Sequence, residues 1–393
     1  MTDPWKAESL TIVYAQESLP AKVRKSIFLA GPTPRDEATS SWRPDAIQQL
    51  RDLGFDGHVL VPEPRGTWTK DYLNQVEWET SALNMADVIV FWVPRDMKTM
   101  PALTTNIEWG VWGGSGKVVF GAPDTAESVR YMKWQCDKFK VPSFTTLRET
   151  LEHAVKTIGE GALRAGGEAK VPLHVWNNET FSGWYKAQRR AHNRLEDARV
   201  LWTYFTGEKR DTLFAWAVQV DIFVAEENRN KKIEFVLGRQ DIASVVLFYK
   251  TEEETYIIMV REFRSPARTS DGFIVELPGG GVEGSTLETA LKELKEETGF
   301  ALEENRLSLV GKKQLAGTFS AHFCSVYAAE LTKQEFHQFF DRVGEVNGED
   351  MNGGDDEERA YLTINPLSDL IRGTSNDVDW ATLGMITTAI GKK

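Results

Sequence analysis

Cysteine is scarce in this sequence, which has only Cys136 and Cys324 among its 393 residues. Two cysteines so far apart do not make the disulfide framework of a small secreted domain, and we expect free thiols in a reducing compartment. Long apolar runs are also lacking, since no stretch approaches the roughly twenty residues that a membrane span needs. The first residues, MTDPWKAESL, lack the basic-then-apolar pattern of a signal peptide. We therefore expect a cytoplasmic protein.

Positive charge is in deficit. Lysine and arginine total 46 against 58 aspartates and glutamates, a net charge of −12. This balance argues against a general binder of nucleic acid or of a membrane surface. A small nucleotide remains a suitable partner, because it needs only a few local basic groups and a metal. The length predicts two domains, or three, and the 41% hydrophobic content is enough to form packed cores.

The first half of the chain alternates apolar strands with helical segments. Four runs read as buried strands: Ser26–Pro32, His58–Pro64, Asp87–Pro94 and Lys117–Pro123. Continuous apolar strands alternating with helices predict an α/β fold with a flavodoxin/Rossmann-like parallel sheet, covered on both faces. Ligands of such sheets bind at the carboxyl ends of the strands.

Three stretches, SIFLAGP, QVEWETSALNMADVIVFW and LTTNIEWGVWGGSGKVV, resemble the nucleoside 2-deoxyribosyltransferase family and its nucleotide N-glycosidase relatives. The resemblance implies that Glu108 is a nucleophile which attacks the anomeric carbon and forms a glycosyl-enzyme. It also implies that Glu79 is an acid that handles the leaving base. Asp87, at the start of a strand, is either a further catalytic acid or a structural residue. Whether the reaction is hydrolysis or transfer stays open, as do the base and the sugar.

The same resemblance implies a substrate site around the turn that follows the first strand. Gly31 and Pro32 would hold the sugar or its 5′ group, and Arg35 or Arg43 would meet a 5′-phosphate. Asn106, two residues before the expected nucleophile, completes the expected substrate-binding set. Because relatives often build such sites across subunits, the resemblance also implies a homo-oligomer.

The middle of the chain separates the halves. The segment Gly159–Lys170 is small and polar, which is typical of a domain boundary. Apolar residues from Trp184 to Trp202 recur at helical spacing and predict an amphipathic helix. We therefore expect a first domain over residues 1–165, a linker with this helix over 166–210, and a second domain over 211–393.

The second half contains Leu277–Phe300, a glycine-rich loop followed by an acidic helix. Glu293, Glu296 and Glu297 lie at i, i+3 and i+4 and share one helix face. Three carboxylates on one face repel each other unless a cation lies between them. Oxygen ligands of this kind favour Mg²⁺ or Mn²⁺. Gly299 suits the left-handed position that ends a helix.

At these residues the chain resembles a Nudix hydrolase. The resemblance implies an α/β/α sandwich with a mixed sheet, metal-assisted hydrolysis of a diphosphate, and a metal ligand in the Gly280 carbonyl. Two positions depart from the family pattern: Lys292 stands where the family has arginine, and Gly284 stands where it has its first glutamate.

A nearby pattern resembles Nudix enzymes of the ADP-ribose pyrophosphatase type. In these enzymes a strand that ends in Arg-x-x-Arg precedes E-L-P-G-G, and here Arg261, Arg264 and Glu276 occupy those places. Two arginines near a metal suit a diphosphate. A later acidic segment would supply a base or a further ligand from Glu357 or Glu358.

Together these features predict a bifunctional nucleotide-processing enzyme, with Glu108 acting on an N-glycosidic bond and a metal site acting on a diphosphate linkage. A dinucleotide of the NAD type or ADP-ribose contains both bonds; clean-up or salvage of nucleotides explains the fusion as well. The alternative is that the Nudix domain is a degenerate nucleotide-binding sensor which regulates the first domain.

Overall fold

The computed structural model describes residues 10–36, 38–66, 72–347, 359–373 and 377–391. The chain divides into two compact units, Met1–Gly238 and Arg239–Lys393. The helices and strands up to the boundary are β1 (Thr11–Tyr14), β2 (Lys22–Val23), β3 (Ser26–Ala30), α1 (Arg43–Asp52), β4 (His58–Val61), α2 (Tyr72–Met85), β5 (Val88–Trp92), α3 (Leu103–Trp112), β6 (Val118–Gly121), α4 (Arg130–Phe139), β7 (Ser143–Phe144), α5 (Leu147–Ile158), β8 (Arg164–Ala165), α6 (Leu173–Trp176), α7 (Glu179–Arg190), β9 (Arg194–Thr206), β10 (Thr212–Val224) and β11 (Arg229–Arg239).

The first unit contains the predicted parallel sheet. Its six strands lie in the order β1-β4-β3-β5-β6-β7, and every neighbouring pair is parallel. The five strands from β3 to β7 therefore follow the flavodoxin-like order, in which the second strand lies outside the first. Helices α2, α3 and α4 pack on one face and α1 and α5 on the other. Since both faces are covered, every residue of β3 and β5 is buried.

The order of the strands positions a ligand site. The chain leaves β3 for β4 on one side and reaches β5 on the other side of β3. Crevices form at such a switch point, beyond the carboxyl ends of the two strands. Ala30 ends β3 and Trp92 ends β5, so the Gly31 turn lies at this crevice.

The predicted helix through Trp202 is wrong beyond Arg190. Helix α7 ends there, His192 has a positive φ of 58°, and Arg194 begins strand β9. β9 pairs with β10 in an antiparallel sheet of order β11-β10-β9, with several register shifts. Those irregularities remove the strict alternation of a regular strand, and the apolar spacing then imitates that of a helix.

The boundary between the units falls later than the expected position at residue 211. The hairpin strands belong to the first unit because their side chains pack there. Trp216 on β10 is fully buried, contacts the ring of Phe181 and donates from Nε1 to Asn178 Oδ1 at 2.9 Å.

The second unit is an α/β/α sandwich. Its helices and strands are β12 (Ile242–Lys250), β13 (Thr255–Phe263), β14 (Phe273–Glu276), β15 (Gly279–Gly281), α8 (Thr286–Thr298), β16 (Ser308–Gln314), β17 (Phe323–Glu330), α9 (Lys333–Phe340), β18 (Val346–Asn347), β19 (Ala360–Pro366), α10 (Leu367–Arg372) and α11 (Trp380–Gly391).

The sheet of this unit is mixed, as predicted. Its order is β16-β17-β12-β13-β19-β18, with β14 on β13 and β15 on β12; β12 and β17 are parallel. Alternate residues of β12 face opposite layers: Val245 packs with α8 and α9, and Val246 packs with α11. None of the described helices is long and apolar enough to cross a bilayer. Cys136 and Cys324 are both free and buried, in agreement with the sequence.

Candidate active sites

The turn after β3 forms the floor of the first site. Gly31 has a φ of 152°, and a Cβ atom there would lie 2.1 Å from the carbonyl oxygen of Trp92 and 2.8 Å from the ring of Trp42. The Trp42 Nε1 donates to the carbonyl of Pro32 at 3.1 Å. The turn therefore requires glycine and is fixed by two tryptophans.

Arg43 holds this turn from inside the protein instead of reaching out to a phosphate. Its side chain is 1% exposed. The guanidinium donates to the carbonyls of Leu29 at 3.1 Å, Gly31 at 2.8 Å and Pro32 at 3.4 Å, to Thr33 Oγ1 at 3.2 Å and to Glu63 Oε1 at 2.6 Å. Of the two arginines considered for the phosphate, the exposed one is Arg35.

Glu108 and Glu79 come together beside Arg43. Glu108 is half-buried on α3, and burial raises its pKa to about 8, with a further increase from the Glu79 charge and an opposing effect of Arg43. Burial also raises the pKa of Glu79, against the hydrogen bond from Gln75 and the charge of Arg43. The Gln75 Nε2 donates to Glu79 Oε1 at 2.6 Å. Two poorly solvated carboxyls beside one cation suit a nucleophile and an acid.

Asp87 has a structural role and lies at the other end of β5. Its side chain is 1% exposed and makes a two-pronged ion pair with Arg164, with both N–O distances at 2.8 Å. It also accepts from the backbone N–H and hydroxyl of Ser26 and from the N–H of Leu173. A carboxylate with all these donors has no oxygen left for a substrate, so the expectation of a catalytic acid at Asp87 is corrected.

Asn106 is exposed on α3, and its Oδ1 accepts a hydrogen bond from Arg95 at 2.5 Å. Arg95 is 6% exposed and also donates to the carbonyl of Ser128 at 2.8 Å. The side-chain N–H₂ of Asn106 is thereby turned away from Arg95. Its substrate-binding role stays a prediction.

Two residues of this site were missed in the sequence. Glu63 pairs with Arg43 and accepts from the Ser41 hydroxyl, and Gln75 holds Glu79. Glu63 lies near the carboxyl end of the predicted second strand, two residues after β4 ends at Val61, which is the signal that would have found it. Gln75 shares a helix face with Glu79 at i, i+4 spacing.

The second site lies where the glycine loop meets α8. The Gly279 N–H donates to Glu297 Oε2 at 3.1 Å. A Cβ atom on Gly280 would lie 2.4 Å from Glu293 Oε1, so two helix carboxylates face the loop. Ser285 caps the start of α8, and Gly299 ends it with a φ of 65°.

The Glu297 carboxyl lies where a negative charge is unfavourable. Burial and the neighbouring charge of Glu293 raise its pKa well above the ordinary value, and the Gly279 N–H acts in the opposite direction. Glu276 and Glu262 raise it further. Such a concentration of carboxylate oxygens fits a hard divalent cation.

The metal ligands are not assembled in this conformation. Within the described ranges, no three His, Cys, Asp or Glu side chains form a group ready to hold a metal ion. Glu296 contributes to this, because its Oε2 lies 3.5 Å from the Nζ of Lys292. Glu293 and Glu297 face the loop that contains Gly280, whereas Glu296 is paired with Lys292.

The two arginines before the loop are paired with acids. Arg264 donates from Nε and Nη2 to Glu276 Oε1 at 2.8 and 2.6 Å and lies 2.9 Å from Glu262 Oε2. Arg261 pairs with Asp271 at 2.5 Å and stacks over the Phe273 ring at 4.1 Å. Their predicted diphosphate contacts would require exchange of these partners. Glu357 and Glu358 lie outside the described residues.

Comparison with known proteins finds two different family models, one in each half of the chain. Residues 24–126 match the family model described as "Nucleoside 2-deoxyribosyltransferase like", and residues 238–380 match the model described as "NUDIX domain". No curated protein sequence matches the chain. One solved structure, titled "Crystal structure of ADP compounds hydrolase", is similar with a TM-score of 0.32 and 16% identity, over 50% of this chain and 93% of that one. So distant a likeness says nothing about the substrate of this chain.

The family matches confirm that a nucleoside 2-deoxyribosyltransferase-like domain and a NUDIX domain occur in one chain. They support a two-domain nucleotide-processing architecture with a hydrolase domain. The roles of individual residues stay predictions.

Proposed function

We propose that this protein is a bifunctional nucleotide-processing enzyme. The first site would cleave or transfer an N-glycosidic bond, and the second would hydrolyse a diphosphate linkage of an ADP-ribose-like or NAD-like compound. The observation that carries the proposal is the pairing of Glu108 with Glu79 beside Arg43, at the carboxyl ends of the parallel strands. We extend it to a small-molecule nucleotide as partner and to a cytoplasmic location, which two free buried cysteines support.

In the first site, ionised Glu108 would attack the anomeric carbon. The new C–O bond forms as the C–N bond breaks, and Glu79 donates its proton to the leaving base. In the second step water, or an acceptor in a transfer reaction, displaces Glu108 and returns a proton to Glu79. Burial favours the protonated form of Glu79, which the first step needs, and the charge of Arg43 favours the ionised form of Glu108.

In the second site, Glu293, Glu296, Glu297 and the Gly280 carbonyl would hold Mg²⁺ or Mn²⁺. The bound cation would supply charge neutralisation of the diphosphate and a more acidic water. Arg261 and Arg264 would leave their acid partners and bind the phosphate oxygens in a two-pronged manner.

The decisive experiment is product analysis on nucleoside monophosphates, NAD and ADP-ribose, with and without Mg²⁺. Wild type is compared with Glu108→Ala and Glu297→Gln. The controls are Glu77→Ala, an exposed acid on α2, which also carries Glu79, and Glu288→Gln, an exposed acid on α8, which also carries Glu297. We expect Glu108→Ala to lower base release at least about a hundredfold, since it removes the nucleophile. Base release by Glu108→Ala at the wild-type rate would overturn the assignment.

The alternative is that the NUDIX domain is a nucleotide sensor. Two ion pairs favour this alternative. An expected metal ligand, Glu296, is paired with Lys292, and an expected phosphate ligand, Arg264, is paired with Glu276. A sensor would change the rate of base release when ADP-ribose is added and would not consume it. Mg²⁺-dependent consumption that disappears in Glu297→Gln would exclude the sensor.

A homo-oligomer remains part of the proposal. Leu103, Ile107 and Val111 form an exposed apolar stripe on α3, each more than half exposed. A stripe of this kind beside a candidate site favours a covered surface. Light scattering of the purified chain measures the mass, and a monomer at all concentrations would exclude this part.

A further inference from the structure

A second cavity lies in the first unit, at the edge where the parallel strands begin. It has a volume of about 220 Å³. Its floor includes Val88 and Val118, the first residues of β5 and β6, and Pro142 just before β7. Parallel strands begin at one edge and end at the other, so this cavity is at the opposite edge of the sheet from the Gly31 turn.

The cavity is built by the β9–β10 hairpin packing on a glycine-rich loop. The Thr203 hydroxyl donates to the carbonyl of Ser115 at 3.2 Å. Gly116 has a φ of 79°, and a Cβ atom there would lie 2.1 Å from the ring of Phe205. Because this loop has no side chain at Gly116, the aromatic ring can lie directly on the backbone and close one wall. The hairpin turn then brings Lys209 and Arg210 to the cavity.

The cavity wall carries an excess of positive charge. Lys140, Lys209 and Arg210 line it, and within the described ranges none of their side chains has an ion-pair or hydrogen-bond partner. Asp211 is the acidic residue among the lining residues. Unpaired cations in one recess repel each other, and an anion removes that repulsion.

Other charges at the cavity reduce this excess without removing it. The helices α3 and α4 end here, and each helix end carries roughly half a negative charge. The three cations are opposed by the Asp211 carboxylate and by the two helix ends, which together count as about one further negative charge. About one positive charge therefore remains at the cavity. Lys117 also lines the wall, but its Nζ already donates to the carbonyls of the α2 terminus at 2.7 to 3.0 Å. In a chain with a net charge of −12, this is a local reversal of sign.

We propose that this cavity binds a small phosphate-bearing ligand, either inorganic phosphate or a pentose phosphate. Lysine and arginine side chains form charge-assisted hydrogen bonds with phosphate oxygens. A volume of about 220 Å³ lies below the range of about 300–1,000 Å³ that is usual for drug-sized ligands, and it therefore favours a small ligand over a dinucleotide. Phe139 and Phe205 give the wall an apolar part against which a sugar can lie. The position at the far edge of the sheet makes this a site distinct from that of Glu108.

Calorimetry on the full-length chain tests the proposal, with inorganic phosphate and ribose 5-phosphate as the probes and without added metal. The test variant is Lys209→Gln with Arg210→Gln, which removes the two hairpin cations. The matched control is Lys232→Gln with Arg190→Gln, which removes one exposed lysine and one exposed arginine of the same unit that do not line the cavity. A third variant, Arg35→Gln, removes the cation expected at the catalytic site.

We expect at least one probe to bind wild type, with its dissociation constant raised at least about tenfold in the test variant. The control should bind as wild type does, and Arg35→Gln should keep the binding event that the test variant weakens. Tighter binding of ribose 5-phosphate than of phosphate would support the proposal with a pentose phosphate as ligand, and equal binding would support it with phosphate alone. The proposal is overturned if neither probe binds wild type, if the test variant binds as wild type does, or if Arg35→Gln alone abolishes binding.

Discussion

At the scale of single residues, the acids of this protein differ in how completely they are neutralised. Asp87 receives two guanidinium bonds and three further hydrogen bonds, and it is buried without a free oxygen. For Glu108, burial and the charge of Glu79 oppose ionisation, and the charge of Arg43 favours it. Chemistry needs a group whose protonation can change near neutral pH, so Glu108 suits catalysis and Asp87 suits structure.

The first prediction concerns the pH dependence of base release. Glu108 must be ionised to attack, and its pKa in the free protein is about 8. The value of kcat/KM should therefore rise on the acid side as Glu108 ionises and fall on the alkaline side as Glu79 loses its proton. Initial rates of base release between about pH 5.5 and 9.5 measure this profile. A profile already level below pH 6 would contradict the raised pKa.

The same group makes the first unit less stable as pH rises. The folded pKa of Glu108 is above the unfolded value, so the folded state holds the extra proton and loses stability from about pH 4.5 to 8. Glu108→Gln removes this ionisation. The free energy of unfolding of the variant, relative to that of wild type, should therefore be about 1–3 kcal/mol higher at pH 9 than at pH 4.5. Thermal melting of both proteins at the two pH values checks the sign. A variant that loses relative stability at pH 9 would refute it.

Asp87→Asn should destabilise the first unit strongly. It leaves Arg164 buried without its counter-charge, and loss of one partner of a buried pair costs about 3–5 kcal/mol. Asp197→Asn is the matched control, because Asp197 pairs with Lys170 at 2.7 Å but is 52% exposed; its cost should stay below about 1 kcal/mol. Thermal unfolding measures the loss of stability in each variant. Equal losses would contradict a structural role for the buried pair of Asp87 and Arg164.

At the scale of elements, the turns between strands and helices decide where side chains meet. The turn after β3 has no room for a Cβ atom, and the Gly299 end of α8 has a left-handed backbone. The two ends of the parallel sheet differ accordingly. One edge has the Gly31 turn with the paired carboxyls, and the other has the Gly116 loop under the hairpin.

Gly31→Ala should distort the turn and impair base release. The new methyl group would meet the Trp92 carbonyl, which is backbone, and the Trp42 ring, which is hydrogen-bonded to the Pro32 carbonyl. We expect at least a tenfold loss of kcat/KM, since a misplacement of about 1 Å costs that much or more. Gly183→Ala on α7 is the control, with nothing within 4 Å of its Cβ position; there a gain of about 0.5–1 kcal/mol is expected. Full activity of Gly31→Ala would mean that the turn does not form the site.

At the scale of the whole molecule, each unit has its own core. The two clusters of the first unit cover the two faces of the parallel sheet, and the two clusters of the second cover the mixed sheet. Units with separate cores resemble independent domains. The chemistry is divided in the same way, since Glu108 and Glu297 lie in different units.

Chelation should therefore separate the two proposed activities. With EDTA, hydrolysis of ADP-ribose should fall to background, because it depends on a cation held by the second unit. Release of base should keep its rate, since Glu108 and Glu79 need no metal. Parallel assays of both products, with Mg²⁺ added back as the control, measure this. Equal loss of both activities would contradict the division.

The sequence by itself determined the α/β class, the parallel sheet of the first unit, the acidic helix with its glycine end and the two family resemblances. These are local signals: continuous apolar strands, the spacing of Glu293, Glu296 and Glu297, and the glycines around them. It failed where a local pattern was ambiguous, as in the bulged strand β9, whose apolar spacing imitates a helix.

Only the tertiary structure decided which charged groups meet. The sequence could not show that the Arg43 side chain points inward and donates to the Gly31 carbonyl. Nor could it show that Arg164, 77 residues away, neutralises Asp87. The pairing of Glu296 with Lys292 was equally hidden. The sequence also could not show that the hairpin brings Lys209 and Arg210 to the Gly116 loop. The physical reason is that burial and charge pairing depend on contacts between residues distant in the chain, and these contacts follow from packing instead of local periodicity.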